Sequence, residues 1–335
     1  MRTLLVFATP ELRAVLAAAR SAEDHGYHRA WATETPGRDA LIRATAVAMI
    51  TTTIGIGTGI AYAFTRAPLA MAAAASGVSQ LAGGRFTLGI GAGTQGMRYG
   101  ITEFDHAATR LAEYADLMRE AWKASHRIEY RGTFYQASYD QVDGSRPRVP
   151  VWGSGLNPVM LKVAARHFDG VALHPLASVA AYLRDMALPA IRKGEASGRG
   201  PVELALWRVA SIDQDCQVAF DRAARALALY LATPSYAVVV ETAGWADIAS
   251  RVRVAFVERR PVWADLAAML PAELVADFCL VGPPAEARER WTDALTHYGE
   301  LGVTEIVLQA ATTGDGEHGE IDHLNLVLDT FAPSA

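Results

Sequence analysis

The sequence predicts an α/β chain of the (β/α)8 TIM-barrel class with insertion segments. Three observations carry this. Short β-branched runs alternate with helical periodicity from the first residues onward. Eight such strand segments can be counted, each followed by a helix. Two of the strands, Ile54-Gly55-Ile56-Gly57-Thr58-Gly59-Ile60 and Gly84-Arg85-Phe86-Thr87-Leu88-Gly89-Ile90-Gly91-Ala92-Gly93, end in glycine. Glycine there admits a ligand to the main chain or permits backbone angles closed to other residues.

Thr3–Phe7 reads as the first strand. Leu12, Val15, Leu16 and Ala19 then recur at helical spacing, on a helix opened near Pro10 and closed by Gly26. Arg29–Thr33 is the second strand, and Asp39 is placed to cap a helix reaching Ile50. Thr53–Ile60 is the third strand. Pro68 opens an alanine-rich helix that Gly83-Gly84 closes, and Arg85–Gly91 is the fourth strand. Thr109–Ala124 is an amphipathic helix, and 128–142 alternates about a turn at Arg131-Gly132, as a small hairpin insertion would.

Val149–Gly153, Gly170–Leu173 and Glu203–Ile212 are strands five to seven, followed by helices over Pro158–His167, Val179–Lys193 and Val218–Leu231. A helical excursion over Ser235–Phe278 precedes another helix starting at Pro283-Pro284. Thr304–Gln309 is strand eight and Ile321–Phe331 the closing helix. No repeat or flexible linker interrupts the chain, so residues 1–335 are expected to form one barrel domain with a helical insertion around 235–278.

Composition narrows the function classes. Hydrophobic residues make up 51% of the 335, enough for a large core, and the net charge is −5 with a pI of about 6.0. Nothing basic enough for a nucleic-acid or membrane surface is present. Cys216 and Cys279 form no CxxC pair, which disfavours disulfides and zinc ribbons. Met1–Phe7 lacks the length and cleavage site of a signal peptide, and Ile54–Val78 is broken by Arg66, Pro68 and glycines. A cytoplasmic protein without membrane spans is expected.

In a barrel, chemistry sits at the C-terminal ends of the strands. Glu34 ends the second strand, as a desolvated acid or base or as a salt-bridge partner. His174 ends the sixth beside Pro175, as a hydrogen-bonding or proton-shuttling group or as a plain mouth-lining side chain. Gly91-Ala92-Gly93-Thr94-Gln95-Gly96 matches GxGxxG, but the segment after it does not start a helix, which disfavours a Rossmann site. Gly153-Ser154-Gly155-Leu156-Asn157-Pro158 suits either a phosphate turn or an ordinary turn with Asn157 as N-cap, and lacks the GxSxG frame of a serine hydrolase. Arg66 and Arg98 are available to an anionic ligand, Arg66 equally to packing at a helix start, and Trp31, Tyr62, Phe64 and Tyr99 to a flat ring or to the core. Asp315–His323 reads as an exposed polar loop, and no metal site is expected.

These residues together, with Ala22-Glu23-Asp24-His25-Gly26-Tyr27, Trp31-Ala32-Thr33-Glu34, Arg66-Ala67-Pro68, Arg110-Leu111-Ala112-Glu113-Tyr114, Phe168-Asp169-Gly170-Val171-Ala172-Leu173 and Leu301-Gly302-Val303-Thr304-Glu305-Ile306, resemble the bacterial luciferase-like superfamily. The resemblance is greatest to its deazaflavin (coenzyme F420)-dependent branch and spans nearly the whole chain outside Ser235–Phe278.

The resemblance implies F420 or FMN at the barrel mouth, with the phosphate near the fifth strand. It implies a cis Gly59–Ile60 peptide in a bulge behind the ring. Ala92 and Gly93 would lie near the ring and its side chain, and Gly155, Leu156 and Asn157 would offer N–H groups to the phosphate. F420 sugar-phosphate dehydrogenases carry Asp-His after strand two and Glu after the strand-four glycine. This chain has Glu34-Thr35 and Thr94, which argues against sugar-phosphate oxidation. The expectation is therefore an F420-dependent oxidoreductase moving hydride between deazaflavin C5 and a small organic substrate, with Glu34 and His174 as candidate catalytic residues. An FMN-dependent monooxygenase, a non-catalytic flavin-binding barrel and a phosphate-binding isomerase are the alternatives. By resemblance a homodimer is expected.

Overall fold

Strand and helix alternate along the chain much as the periodicity predicts. A computed structural model describes residues 2–7, 9–94, 105–140, 146, 148–259 and 263–333. Ala8, Gln95, Gly96, Arg98, Tyr99 and the end of the expected hairpin at Val142 lie outside the described residues.

In chain order the elements are β1 (Arg2–Phe7), α1 (Leu12–Asp24), β2 (Arg29–Ala32), α2 (Ala40–Ile50), β3 (Gly55–Thr58), β4 (Ala61–Tyr62), α3 (Pro68–Leu81), β5 (Phe86–Gly91) and α4 (Ala107–Lys123). The hairpin β6 (Arg127–Arg131) and β7 (Gln136–Asp140) precedes β8 (Val151–Gly155), α5 (Pro158–His167), β9 (Gly170–Leu173), α6 (Ala180–Tyr182) and α7 (Leu188–Ala196). There follow β10 (Glu203–Ile212), α8 (Cys216–Leu231), α9 (Ala237–Thr242), α10 (Ala246–Arg259), α11 (Trp263–Ala267), α12 (Ala272–Phe278), β11 (Cys279–Gly282), α13 (Pro284–Glu300), β12 (Glu305–Ala310) and α14 (Gly316–Phe331). Among the described residues no single helix is long and apolar enough to cross a membrane.

The chain divides into two units. The first comprises Met1–Ala30, Leu173–Pro189 and Glu203–Ala335, and the second Trp31–Ala172 and Ala190–Val202. In the first, β11, β10, β12 and β1 lie side by side, with β10 parallel to both β11 and β12 and β12 parallel to β1. α1 packs on α14, and the Tyr27 hydroxyl donates to the Leu328 carbonyl at 2.9 Å.

Three boundaries in this unit differ from expectation. Cys279–Gly282 is a strand paired with β10, whereas the sequence reads as a helical excursion to Phe278 followed by a helix from Pro283-Pro284, with no strand between them. The helix expected over Val179–Lys193 contains a π turn at Leu183–Ala187. Pro189 follows after Leu188, and its ring and missing N–H are incompatible with the regular ladder there. Asp315–His323 belongs mostly to α14 rather than to an exposed loop. Glu320 is buried and accepts the Thr313 and Gly314 N–H groups at 2.7 and 3.1 Å, and buried His323 accepts the Ile212 N–H at 3.2 Å. Polar residues that satisfy buried main chain look like loop residues in sequence.

In the second unit the strand order is β2, β3, β5, β8, β9. β3 and β8 flank β5 and run parallel to it. The core is built on two indoles, Trp31 and Trp152, both buried with ring centroids 5.4 Å apart. The strand glycines serve these large rings. A Cβ on Gly57 would enter the Trp31 ring, and one on Gly170 the Trp152 ring. A Cβ on Gly153 would come within 2.8 Å of Phe168. The glycines at 57, 153 and 170 therefore report ring packing. Helix α4 caps the hairpin: Glu113 accepts the Thr133 and Phe134 N–H groups at 3.1 and 2.8 Å.

Candidate active site

The tips of β3, β5 and β8 are neighbours in the second unit, which places Gly59 and Ile60 beside Ala92 and Gly93, and these beside Gly155. β3 and β5 pair at Gly57↔Thr87, and pairing resumes at Ala61↔Ile90 through β4. Three residues on one side, Thr58 to Ile60, thus face two on the other, Leu88 and Gly89. This is a β-bulge, a device that re-aims a strand end. The Gly59–Ile60 peptide within it is cis.

Thr58 holds the bulge closed. Its hydroxyl donates to the Gly89 carbonyl at 2.8 Å and accepts the Gly89 N–H at 3.0 Å, replacing the ladder where the strands part. Ile60 then lies over Gly91, where a Cβ would meet its Cδ1 and come within 3.3 Å of the Ser154 Cβ. Gly59, Ile60, Ala92, Gly93, Ser154 and Gly155 are all half-buried. Gly93 takes φ +66°, a conformation that favours glycine. The result is an accessible strip of main chain and small side chains across three strand tips.

Beyond the strip, Leu156 is buried and Asn157 is the N-cap of α5, its side chain accepting the Met160 N–H at 2.9 Å. Gly155 leaves room for Met160, whose Cγ would lie 2.5 Å from an added Cβ. The capping role and a phosphate role are compatible, because the cap engages only one of the N–H groups at the helix start.

Glu34 stands just past β2. Its own N–H donates to the Ile60 carbonyl at 3.3 Å, tying it to the bulge. Both carboxylate oxygens accept from Arg66 Nη1 at 2.9 Å, and Arg66 Nη2 also binds Asp39. The Glu34 side chain is 1% exposed. Burial raises its pKa, against the opposing pull of the Arg66 guanidinium and the Tyr62 N–H. Burial also works against the charge of Asp39, but the Ile42 N–H and Arg66 outweigh it and hold that pKa below the ordinary value. Tyr114 donates to the Arg66 carbonyl at 3.1 Å. The salt-bridge reading of Glu34 is thus realised, with Arg66 as the partner. Asp39, legible in sequence only as a helix cap, completes the network.

His174 follows β9 and belongs to the first unit. Its Nδ1 accepts the Leu176 N–H at 3.2 Å, and burial pushes its pKa down to about 3. It stacks among Tyr230 and Tyr236, neither of which carries a periodic or motif signal in the sequence.

A family model described as luciferase-like monooxygenase matches residues 4–305. The chain is 27% identical over 296 residues to the 5,10-methylenetetrahydromethanopterin reductase of Archaeoglobus fulgidus, covering 85% of this chain and 86% of that protein. Its fold is similar to that of the coenzyme F420-dependent tetrahydromethanopterin reductase from Methanopyrus kandleri, with a TM-score of 0.78 and 20% identity over 97% of this chain and 96% of that one. It is also similar to an F420-dependent secondary alcohol dehydrogenase in complex with an F420–acetone adduct, with a TM-score of 0.71 and 16% identity over 98% of both chains. These likenesses show the fold class expected from the sequence, a luciferase-like (β/α)8 α/β fold. The chain belongs to the luciferase-like monooxygenase family, a family of oxidoreductases.

Proposed function

We propose that this oxidoreductase binds coenzyme F420 on the strip formed by Gly59, Ile60, Ala92, Gly93 and Gly155, and moves hydride between the cofactor and a small organic substrate. The observation that carries the reading is the adjacency of three glycine-tipped strand ends with accessible main chain between them. The F420 dependence named for two structural neighbours supports the choice of cofactor. When bound, F420 supplies a two-electron hydride centre at C5.

This chain's residues position and shield the reactants. Ile60 and the bulge back the ring. The main chain over Gly155, Leu156 and Asn157, at the start of α5, takes the phosphate. Glu34, buried and with a raised pKa, holds a proton-transfer position fixed by Arg66, and its N–H link to Ile60 ties that position to the ring face. His174, in the first unit, is a neutral hydrogen-bonding group rather than a base, because burial depresses its pKa and leaves it unprotonated at neutral pH.

The deciding experiment is equilibrium binding of F420 and FMN side by side. Tight F420 with negligible FMN supports the reading, and the reverse overturns it. The family description favours one second reading, an FMN-dependent monooxygenase. Deazaflavin does not activate oxygen usefully and reduced FMN does, so substrate-dependent oxygen uptake separates the two. We further propose a homodimer through α2 and α3, where Ile42, Met49 and Leu81 are exposed. A monomeric mass in sedimentation equilibrium would reject it.

A further inference from the structure

The first unit contains a polar aromatic cluster that the cofactor strip does not use. His174, Tyr230 and Tyr236 form a three-ring corner, with centroids 4.7 Å apart for His174–Tyr230, 4.4 Å for His174–Tyr236 and 6.0 Å for Tyr230–Tyr236. Gln309, near the C-terminal end of β12, donates through Nε2 to the Tyr230 hydroxyl at 2.7 Å. That bond takes an acceptor lone pair of Tyr230 and leaves its O–H to donate elsewhere.

Because His174 Nδ1 accepts the Leu176 N–H, the neutral ring carries its proton on Nε2. Among the described residues no protein group meets His174 Nε2 or the Tyr236 hydroxyl. The corner therefore presents three N–H or O–H donors, from His174, Tyr230 and Tyr236, and no side-chain acceptor of its own except the hydroxyls.

All four side chains keep partial contact with solvent. Yet burial pushes His174 down to about 3, Tyr230 up to about 12 and Tyr236 upward too. The neighbouring Cys279 thiol is likewise pushed up to about 12 and stays neutral. These four side chains are thus neutral at pH 7.

We propose that His174, Tyr230 and Tyr236, braced by Gln309, form a binding site for a neutral, planar, conjugated carbonyl compound. The rings supply aromatic surface, and three side-chain donors are available to a carbonyl oxygen. A carboxylate or phosphate would lose water here without a cationic partner among these side chains, which is costly. A cation would meet donor hydrogens. A neutral carbonyl meets neither penalty and satisfies donors that otherwise face water. The site goes beyond the cofactor reading and does not depend on it: every residue in it lies in the first unit, and its test is binding without cofactor.

The test uses the full chain and three probes of similar size: chromone, a neutral planar ketone; naphthalene, which lacks an acceptor; and 2-naphthoate, an anion. Titration calorimetry reads each Kd. Chromone is expected to bind at least tenfold more tightly than either comparison probe. Tyr236→Phe and Tyr230→Phe keep the rings and remove one donor each, and each is expected to weaken chromone about three- to tenfold while leaving naphthalene unchanged. No measurable chromone binding, equal binding of naphthalene, or an unchanged chromone Kd in both variants would each overturn the site. Circular dichroism melting of the variants verifies that they are folded, and His174→Gln, which keeps an N–H donor, is expected to retain more affinity than His174→Phe. Failure of F420 to bind leaves these outcomes untouched, so the two readings are tested separately.

Discussion

Arg66 Nη1 lies 2.9 Å from both carboxylate oxygens of Glu34, so one cation holds a buried acid at the base of the bulge that carries Ile60. The pair is enclosed: 21% of the Arg66 side chain and 1% of the Glu34 side chain remain exposed. Removing one partner of such a pair leaves a charge without compensation, which typically costs about 3–5 kcal/mol. Arg66→Gln is therefore expected to lose about 3 kcal/mol in urea unfolding at pH 7. The double variant Glu34→Gln/Arg66→Gln is expected to recover part of that loss. A double-variant loss equal to the sum of the Glu34→Gln and Arg66→Gln losses would show that the pair is not coupled.

Glu34→Gln addresses chemistry rather than stability. It keeps the side-chain shape and removes the titrating group. With F420 bound normally, turnover is expected to fall by about two orders of magnitude, the lower range for loss of a proton-transfer group. Unchanged turnover would remove Glu34 from the reaction.

Buried histidines set the acid limb of stability. His174 is depressed to about 3 and His323 to about 4, both chiefly by burial, from an ordinary value of 6.5. As pH falls below about 6.5 the unfolded chain takes up these protons before the folded chain does. Stability is therefore complete above that value and is lost progressively down to about pH 4 for His323 and about pH 3 for His174. For His323 the loss is on the order of 2–3 kcal/mol. His323→Gln is expected to be less stable at pH 7 but to show a flatter pH profile between 6.5 and 4. A parallel profile would place the acid sensitivity elsewhere.

Two glycines with similar sequence context are expected to respond differently to a methyl group. At Gly57 the obstruction is the Trp31 ring, and at Gly89 it is the Thr58 carbonyl. Both Gly57→Ala and Gly89→Ala should destabilise by about 1–3 kcal/mol or more. Trp31→Phe is expected to relieve Gly57→Ala in part and to leave Gly89→Ala unrelieved. Thermal melting of the four variants checks this.

Ala92→Leu tests the cofactor strip. Ala92 is half-buried at the tip of β5, so a larger side chain has space in the folded chain but covers the ring face. F420 affinity is expected to drop at least tenfold with the melting temperature unchanged within a few degrees. Retained affinity would move the ring elsewhere.

Much of this was legible from residue pattern. Strands such as Arg29–Thr33 and Arg85–Gly91 stand out because β-branched and aromatic residues crowd between turn signals, and Asp39 and Asn157 stand out as caps because their short polar side chains precede helical periodicity. The strand-tip glycines are visible for the same reason. Their physical role was less visible, since a glycine that makes room for Trp31 and one that faces a ligand look alike in one dimension. β11 escaped because four apolar residues after a helix have no period of their own. Tyr230 and Tyr236 escaped because only the bend between α8 and α9 brings them to His174. Partners from distant segments, such as Arg66 and Glu34, are juxtaposed by tertiary structure alone.

The double hydrogen bond of Thr58 to Gly89 gives the rim a built-in reporter. The Gly89 amide is shielded by a side-chain oxygen instead of by a neighbouring carbonyl, so its deuterium uptake follows that one hydroxyl. Serine in its place preserves the oxygen, and valine, nearly the same in outline, deletes it. Slow uptake with Thr or Ser and fast uptake with Val would show that a lone oxygen atom governs local opening of the edge on which the redox ring is proposed to rest.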